Sequence, residues 1–333
     1  MTPGAEPRGP KVWFVGAGPG AVDLLTLRAA RVIAAADVVI WAASLVHPDV
    51  LSHARPGAEV VDSAKLSLEG QRALYERALA DRLTVARIHS GDPALWGAVQ
   101  EQRELCDELG LAHETVPGVS AYSAVAAIVG RELTVPEVAQ SVILTRLGGG
   151  KTPMPPGEEL SGLAEHGTTM AVFLSAARSV QLQAELLAGG YLPDTPVIVA
   201  HQATWPDELV AECTVGTLAD TVRARKLWKH TLFLVGPALA ARGTRSHLYH
   251  PGHFHGHRRA EPAARTALRE ANAVSETTGR GVAWTEERGT SDEGRRRPKA
   301  PRRRAGDTAP REASAGDTAL REAGAATMRG ARP

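Results

Sequence analysis

Turns of glycine and other small residues at strand ends are where this sequence could do chemistry. Val15-Gly-Ala-Gly-Pro-Gly20 follows an apolar run, and Arg87-Ile-His-Ser-Gly-Asp-Pro93 carries a second glycine turn after another. Pro117-Gly-Val-Ser-Ala-Tyr122 and His201-Gln-Ala-Thr-Trp-Pro-Asp207 supply a third and a fourth. Lacking a Cβ, glycine lets a backbone come close to a ligand, and α/β proteins bind ligands at strand ends. A backbone-lined crevice for a small ligand is expected.

Two phosphate-binding patterns fit only in part. Gly16-x-Gly18-x-x-Ala21 has the spacing of a dinucleotide fingerprint. A nicotinamide site also needs an acidic residue at the end of the second strand. Here that strand runs Val39-Ile-Trp-Ala-Ala-Ser44, and Asp37 stands at its start. Pro19 removes one backbone donor from the turn as well. Gly148-Gly-Gly-Lys-Thr152 resembles a phosphate loop, but Thr145 occupies a required glycine position and Pro153-Met-Pro-Pro156 replaces the following helix. That segment reads as a loop, either solvated or lending Lys151 to an anion. A plain strand-to-helix connection is the other reading of the first turn.

Positioning such turns takes strands and helices in alternation. Strands are expected over Lys11–Val15, Asp37–Trp41 and Leu83–Ile88. Helices are expected over Asp23–Ala35, with Leu24, Leu27, Ala30 and Ala34 on one face, and over Glu69–Ala80. A third is expected over Pro93–Leu109, capped by Asp92 with Pro93 in its first position. This is an α/β pattern with a largely parallel sheet. Further on, strands are expected over Ser141–Leu144, Thr168–Leu174, Val197–His201, Leu209–Thr214 and Thr231–Val235. Helices are expected over Gly157–Glu165, Ala176–Leu187 and Leu218–Arg225. Closely spaced strands there imply antiparallel pairs.

The chain of 333 residues has room for two α/β domains, expected over 11–125 and 126–242 with a ligand cleft between them. From 243 to 333 a His-rich extension runs into an Arg/Ala/Gly-rich segment. From about Arg258 it has almost no large aliphatic residues and is expected to be a disordered tail. A formal net charge of +1 gives no support for nucleic-acid binding, and the Arg295–Arg304 cluster is expected to be solvated. Cys106 and Cys213 lack C-x-x-C spacing, so neither a disulfide framework nor a zinc site is expected. Met1–Pro10 has no apolar core, and no apolar run reaches spanning length. A cytoplasmic protein with no signal peptide and no membrane contact is expected.

Together the turns resemble the tetrapyrrole methylase family. The resemblance rests on Gly16-Ala-Gly-Pro-Gly20, His89-Ser-Gly-Asp-Pro93, Val116-Pro-Gly-Val-Ser120 and Ala203-Thr-Trp-Pro-Asp-Glu208, and it covers about Lys11–Pro237. Ala43-Ser-Leu-Val46, Gly97-Ala-Val-Gln-Glu-Gln102 and Gly130-Arg-Glu-Leu-Thr-Val-Pro-Glu137 narrow it to members that methylate C-11 of precorrin-4 in cobalamin synthesis. The resemblance implies two α/β domains, S-adenosylmethionine in the cleft between them, a tetrapyrrole substrate and a homodimer. By motif it places Pro19, Ser90, Gly91, Asp92, Ser120, Ala121, Leu174, Ala203, Thr231 and Leu232 beside the methyl donor. The chain departs from the family pattern at Ala21, where an acidic residue is common, and at His201-Gln202, where Tyr-Arg is common. A cobalt-bearing precorrin-4, another precorrin carbon and uroporphyrinogen III stay open as alternatives. An NAD-binding oxidoreductase and a non-catalytic binding module stand further off.

Methyl transfer from a sulfonium asks mainly for positioning and water exclusion, which suits a sequence with no catalytic triad or H-E-x-x-H motif. Asp92, Glu101 and Tyr122 are candidates for a base, against helix capping for Asp92 and a solvated helix face for Glu101. A substrate rich in carboxylates calls for cations, and Lys65, Arg87, Arg131, Arg146 and Lys151 fall near strand ends or connecting loops. His247, His250, His253, His255 and His257 could hold a metal, but a terminal extension of the family type is preferred and no metal is assigned.

Overall fold

Five strands, each followed by a helix or short helical turn, build the first of two sheets. A computed structural model describes residues 9–149, 152–242, 249–253, 257, 259 and 261–278, all within one compact unit, 1–284. In the first sheet β1 (Lys11–Gly16), β2 (Val38–Trp41), β3 (Glu59–Asp62), β4 (Thr84–His89) and β5 (Ala112–Val116) run parallel in the order β3-β2-β4-β1-β5. Helix α1 (Leu27–Ala35) covers one face, where Ala29, Val32 and Ile33 pack on Trp13, Val15, Val39 and Ile88. Helices α2 (Leu68–Ala80) and α3 (Val99–Leu109) cover the other, where Tyr75, Ala78, Leu105 and Cys106 pack on Val12, Phe14, Val38 and Ile40. Each fully buried aliphatic side chain in this sandwich contributes about 1.5–3 kcal/mol. The chain leaves neighbouring strands β1 and β4 toward opposite faces, which opens a crevice between their C-terminal ends.

Helix α4 (Ala121–Ile128) leads into the second sheet, and its Val125 already packs on that sheet's Ala171, Ile198 and Leu234. The order there is β6-β7-β10-β8-β9, formed by β6 (Val142–Arg146), β7 (Thr169–Phe173), β8 (Pro196–His201), β9 (Leu209–Thr214) and β10 (Thr231–Val235). Only β6 and β7 pair in parallel; the other neighbours are antiparallel. Helices α5 (Leu160–Ala164), α6 (Ser179–Ala188) and α7 (Leu218–Arg225) cover the face opposite α4, with Leu160, Leu182, Leu186, Leu218 and Val222 against Met170, Val199 and Phe233. The antiparallel register sets the start of β10 (Thr231) opposite the end of β8 (His201), so both open onto the same edge as the end of β7.

Several expectations are corrected. The helix expected from Asp23 begins at Leu27, because the Thr26 side chain accepts from Ala29 N at 3.0 Å and caps it there. Its buried face is Ala29, Val32 and Ile33, not the expected face, and Leu27 is exposed. The helix expected from Pro93 begins at Val99, after Trp96 and Ala98 take left-handed conformations at φ 52° and 48°. Strand β3 was not anticipated. Within the stretch expected to be unstructured from about Arg258, Pro262–Thr278 forms helix α8, with Leu268 buried. Ala, Arg and Glu favour a helix even where they cannot build a core, and Pro262 fits its first position. Residues 279–333, including Arg295–Arg304, lie outside the described residues.

Candidate functional site

Three of the turns meet at the crevice. Gly18 and Gly91 exchange backbone hydrogen bonds: Gly18 N donates to Gly91 O at 3.2 Å and Gly91 N to Gly18 O at 2.8 Å. Ala17 N donates to His89 O at 2.8 Å. A Cβ on Gly16 would stand 2.5 Å from Gly118 N and 2.8 Å from Gly91 O, and one on Gly118 would run into the same Gly91 oxygen. The turns after β1, β4 and β5 thus pack backbone on backbone, which only glycine permits. Asp92 fastens them: its Oδ1 accepts from Ala94 N at 2.8 Å and its Oδ2 from Gly118 N at 3.3 Å. Its carboxylate therefore braces the turns rather than capping α3.

The fourth turn reaches over from the second sheet. Trp205 Nε1 donates to Pro19 O at 3.0 Å, and Ala21 N donates to Thr204 Oγ1 at 2.9 Å. Gly20 lies under the indole and has no room for a Cβ. His47 meets the indole edge-on at 4.9 Å between ring centroids, and His230 stacks on it at 6.0 Å. An open cavity of about 270 Å³ adjoins this contact, lined by Gly20, Ala21, His47, Asp49, Thr204 and Trp205 among others. It shares no residue with the set placed at the methyl donor by resemblance.

Along the facing edge of the second sheet, non-glycine residues take left-handed conformations: Leu174 at φ 52°, Gln202 at 47°, Thr204 at 68° and His230 at 50°. For residues with a Cβ this is a strained choice that clusters at functional sites. Leu174 is 67% exposed at the end of β7. Beside it Phe173 packs on Trp96, 4.7 Å between centroids, and Trp96 is itself 42% exposed. The edge presents apolar surface to the crevice.

Beneath the second turn lies a buried polar layer. Arg87 points into the first sheet's core, its Nε donating to Gln102 Oε1 at 3.1 Å and its Nη1 to Ile88 O at 3.0 Å. Tyr75 donates to the same Gln102 oxygen at 3.1 Å. Burial lowers the Arg87 pKa, opposed by Tyr75. His89 is only 6% exposed and its Nε2 has no partner. Burial, then the Arg87 charge, pushes its pKa down to about 3, so its imidazole is neutral at physiological pH.

Of the cofactor candidates, Pro19, Ser90, Gly91, Asp92 and Ser120 with Ala121 stand on the turns of the first sheet, with Gly91 about 4.0 Å from the Ser120 and Ala121 backbone if it carried a Cβ. Leu174, Ala203, Thr231 and Leu232 stand on the edge of the second. Of the cation candidates, Lys65 and Arg131 are exposed, whereas Arg87 is committed to the core. Arg146 ties down the following loop, its Nη1 donating to Thr152 O at 2.9 Å, while Arg178 donates to Gly148 O and to Leu147 O. Lys151 lies outside the described residues. Glu101 is exposed on α3, and Tyr122 on α4 is partly buried, packed against the core that α4 shares with the second sheet. Burial raises the Cys106 thiol pKa to about 12, so it is no nucleophile. Among the described residues no group of three or more His, Cys, Asp or Glu is placed to hold a metal; His247 and His255 lie outside them. Nor is any described helix long and apolar enough to cross a membrane. Sequence reading singled out neither Trp205 nor Thr204, although both lie inside a quoted motif; the signal was an aromatic beside a small-residue turn.

Residues 11–219 match the model of the Tetrapyrrole (Corrin/Porphyrin) Methylases. The chain is 47% identical over 232 residues to a precorrin-4 C(11)-methyltransferase of Rhodococcus erythropolis, covering 70% of this chain and 93% of the relative. Among solved structures it resembles a cobalt precorrin-4 methyltransferase with a TM-score of 0.68 at 41% identity, covering 71% of this chain and 99% of that one. A uroporphyrin-III C-methyltransferase of Thermus thermophilus, solved with S-adenosyl homocysteine, matches with a TM-score of 0.58 at 29% identity, covering 69% and 93%.

Proposed function

The chain belongs to the tetrapyrrole (corrin/porphyrin) methylases, and from that membership we propose that it methylates C-11 of precorrin-4 with S-adenosylmethionine, giving precorrin-5 in cobalamin biosynthesis. The observation that carries this reading is the likeness to a precorrin-4 C(11)-methyltransferase over 93% of that relative's length. A cobalt-bearing precorrin-4 is the second reading, favoured by the likeness to the cobalt precorrin-4 methyltransferase.

The residues present fit the donor. Gly16, Gly91 and Gly118 leave a stretch of crevice wall with backbone and no side chains. Leu174 offers exposed apolar surface opposite, and Ala121 and Ala203 put no long side chain into the crevice. When bound, the sulfonium supplies an electrophilic methyl group to an electron-rich ring carbon. The chain's part is to hold both reactants in line and to keep water away. In this proposal Pro19, Ser90, Gly91, Ser120 and Ala121 hold the donor from the first sheet, and Leu174, Ala203, Thr231 and Leu232 hold it from the second. Asp92 braces the turns, which leaves Glu101 and Tyr122 as candidates for proton removal. Lys65 and Arg131 are the exposed cations offered to substrate carboxylates. We place the division between domains near residue 125, and the family resemblance supports a homodimer.

Supplying labelled S-adenosylmethionine with metal-free or cobalt-bearing precorrin-4, then locating the new methyl by NMR, tests the reading. A label at C-11 is expected. A label on any other carbon, or none from either substrate, overturns it.

A further inference from the structure

The contact between Thr204-Trp205 and the first turn is built as a fastening. It joins segments 183 and 186 residues apart in sequence through two hydrogen bonds directed at adjacent points of one turn, Ala21 N to Thr204 Oγ1 and Trp205 Nε1 to Pro19 O. Gly20 between them has given up its Cβ to the indole. Thr204 is β-branched yet held at φ 68°, a conformation such residues avoid. Its amide donates to Glu208 Oε2 at 2.6 Å, Trp205 N donates to Gln202 O at 2.9 Å, and Glu208 N donates to Trp205 O at 3.0 Å, so the fourth turn is stiffened from within. His47 from the first half and His230 from the second enclose the indole. The turn so fastened continues into Gly18, which hydrogen-bonds Gly91, and so into the wall assigned to the donor.

We propose that Thr204 and Trp205 are positioning residues for methyl transfer: they latch the first glycine turn across the crevice and hold the donor wall in its binding geometry without touching donor or substrate. The inference rests on the proposed methyltransferase reading. Its consequence is that donor affinity depends on a hydrogen bond made outside the donor site, while affinity for the tetrapyrrole does not.

The test uses the full chain and four forms: wild type, Trp205→Phe, Thr204→Ala and Thr204→Ser. Phenylalanine keeps a ring but loses the N–H donor, and serine keeps the oxygen that alanine removes. Calorimetry with S-adenosylhomocysteine should show affinity weakened about 3- to 10-fold in Trp205→Phe and Thr204→Ala, the loss of one net hydrogen bond. Thr204→Ser should return affinity toward wild type. KM for precorrin-4 should stay within about 2-fold in all four. With no donor present, hydrogen exchange at the Ala21 amide should quicken in Thr204→Ala and not in Thr204→Ser. Should Trp205→Phe fail to fold, the alanine and serine pair carries the same comparison. Unchanged donor affinity in the folded variants overturns the latch, as does a KM change without a change in donor affinity. A wild type that does not bind S-adenosylhomocysteine sinks the methyltransferase reading instead, so the two failures are distinct.

Discussion

The two walls of the crevice solve the same problem in opposite ways. On the first sheet the backbone is packed so closely that Gly16 and Gly118 have no space for a Cβ. On the second sheet the edge is held by Leu174, Gln202, Thr204 and His230, which keep their side chains and accept left-handed backbone to do so. One wall is defined by what it leaves out. The other retains side chains at the cost of strain, and at Thr204 and His230 those side chains have identifiable contacts. Glycine marks necessity in space; a left-handed leucine or threonine marks a side chain worth keeping.

The hardest blow to that contrast should come from Gly118→Ala. The added Cβ meets backbone oxygen, which cannot swing aside. Loss of about 3 kcal/mol or more of stability is expected, with donor binding abolished, as read by urea unfolding and calorimetry. Near-normal stability would show the first wall to be looser than its packing indicates. Acid should come next. His89 has an ordinary pKa of 6.5 and a folded value of about 3, so below 6.5 the unfolded chain takes up a proton that the native chain refuses. Its stabilising contribution is complete above 6.5 and falls away as pH drops toward 3. At pH 5 the loss is about 2 kcal/mol. Unfolding midpoints at pH 7.5 and 5 should differ more in wild type than in His89→Phe, and amides of β4 should lose exchange protection before those of β8. The smallest effect on stability should be Leu174→Gly. Relief of the left-handed strain and the added freedom of glycine nearly cancel, leaving a change within about 1 kcal/mol. Donor affinity should nevertheless fall, which separates a side chain kept for binding from one kept for folding.

Much of this was legible in the chain itself. The strands of the second half stand out because short apolar runs between turn residues have few alternatives, and Leu209–Thr214 and Thr231–Val235 match their observed bounds. Helix α1 was harder. Leu24 and Leu27 look like the start of an amphipathic face, yet the Thr26 cap sets the phase of the buried positions behind them. Asp92-Pro93 reads as a helix start, but the aspartate had two amide donors to satisfy at the turns. Arg87 misled for a different reason. A strand covered on both faces gives no alternation to show which way a polar residue points, and only Gln102 on the apolar side of α3 reveals that a buried partner awaits it. The Thr204-Trp205 contact depends on two segments meeting from opposite halves, and no local pattern encodes that meeting.

Packing among Gly16, Gly91 and Gly118 also bears on redesign. Gly16 and Gly118 are each confined by the other's backbone and by the Gly91 oxygen, and Gly91 itself is held at φ 63°, a conformation that favours glycine, so no single replacement at these positions widens that side. An engineer seeking room for a methyl-donor analogue with a longer alkyl group would have to find it at the other wall. There Leu174 can be exchanged by itself, with its neighbours left as they are.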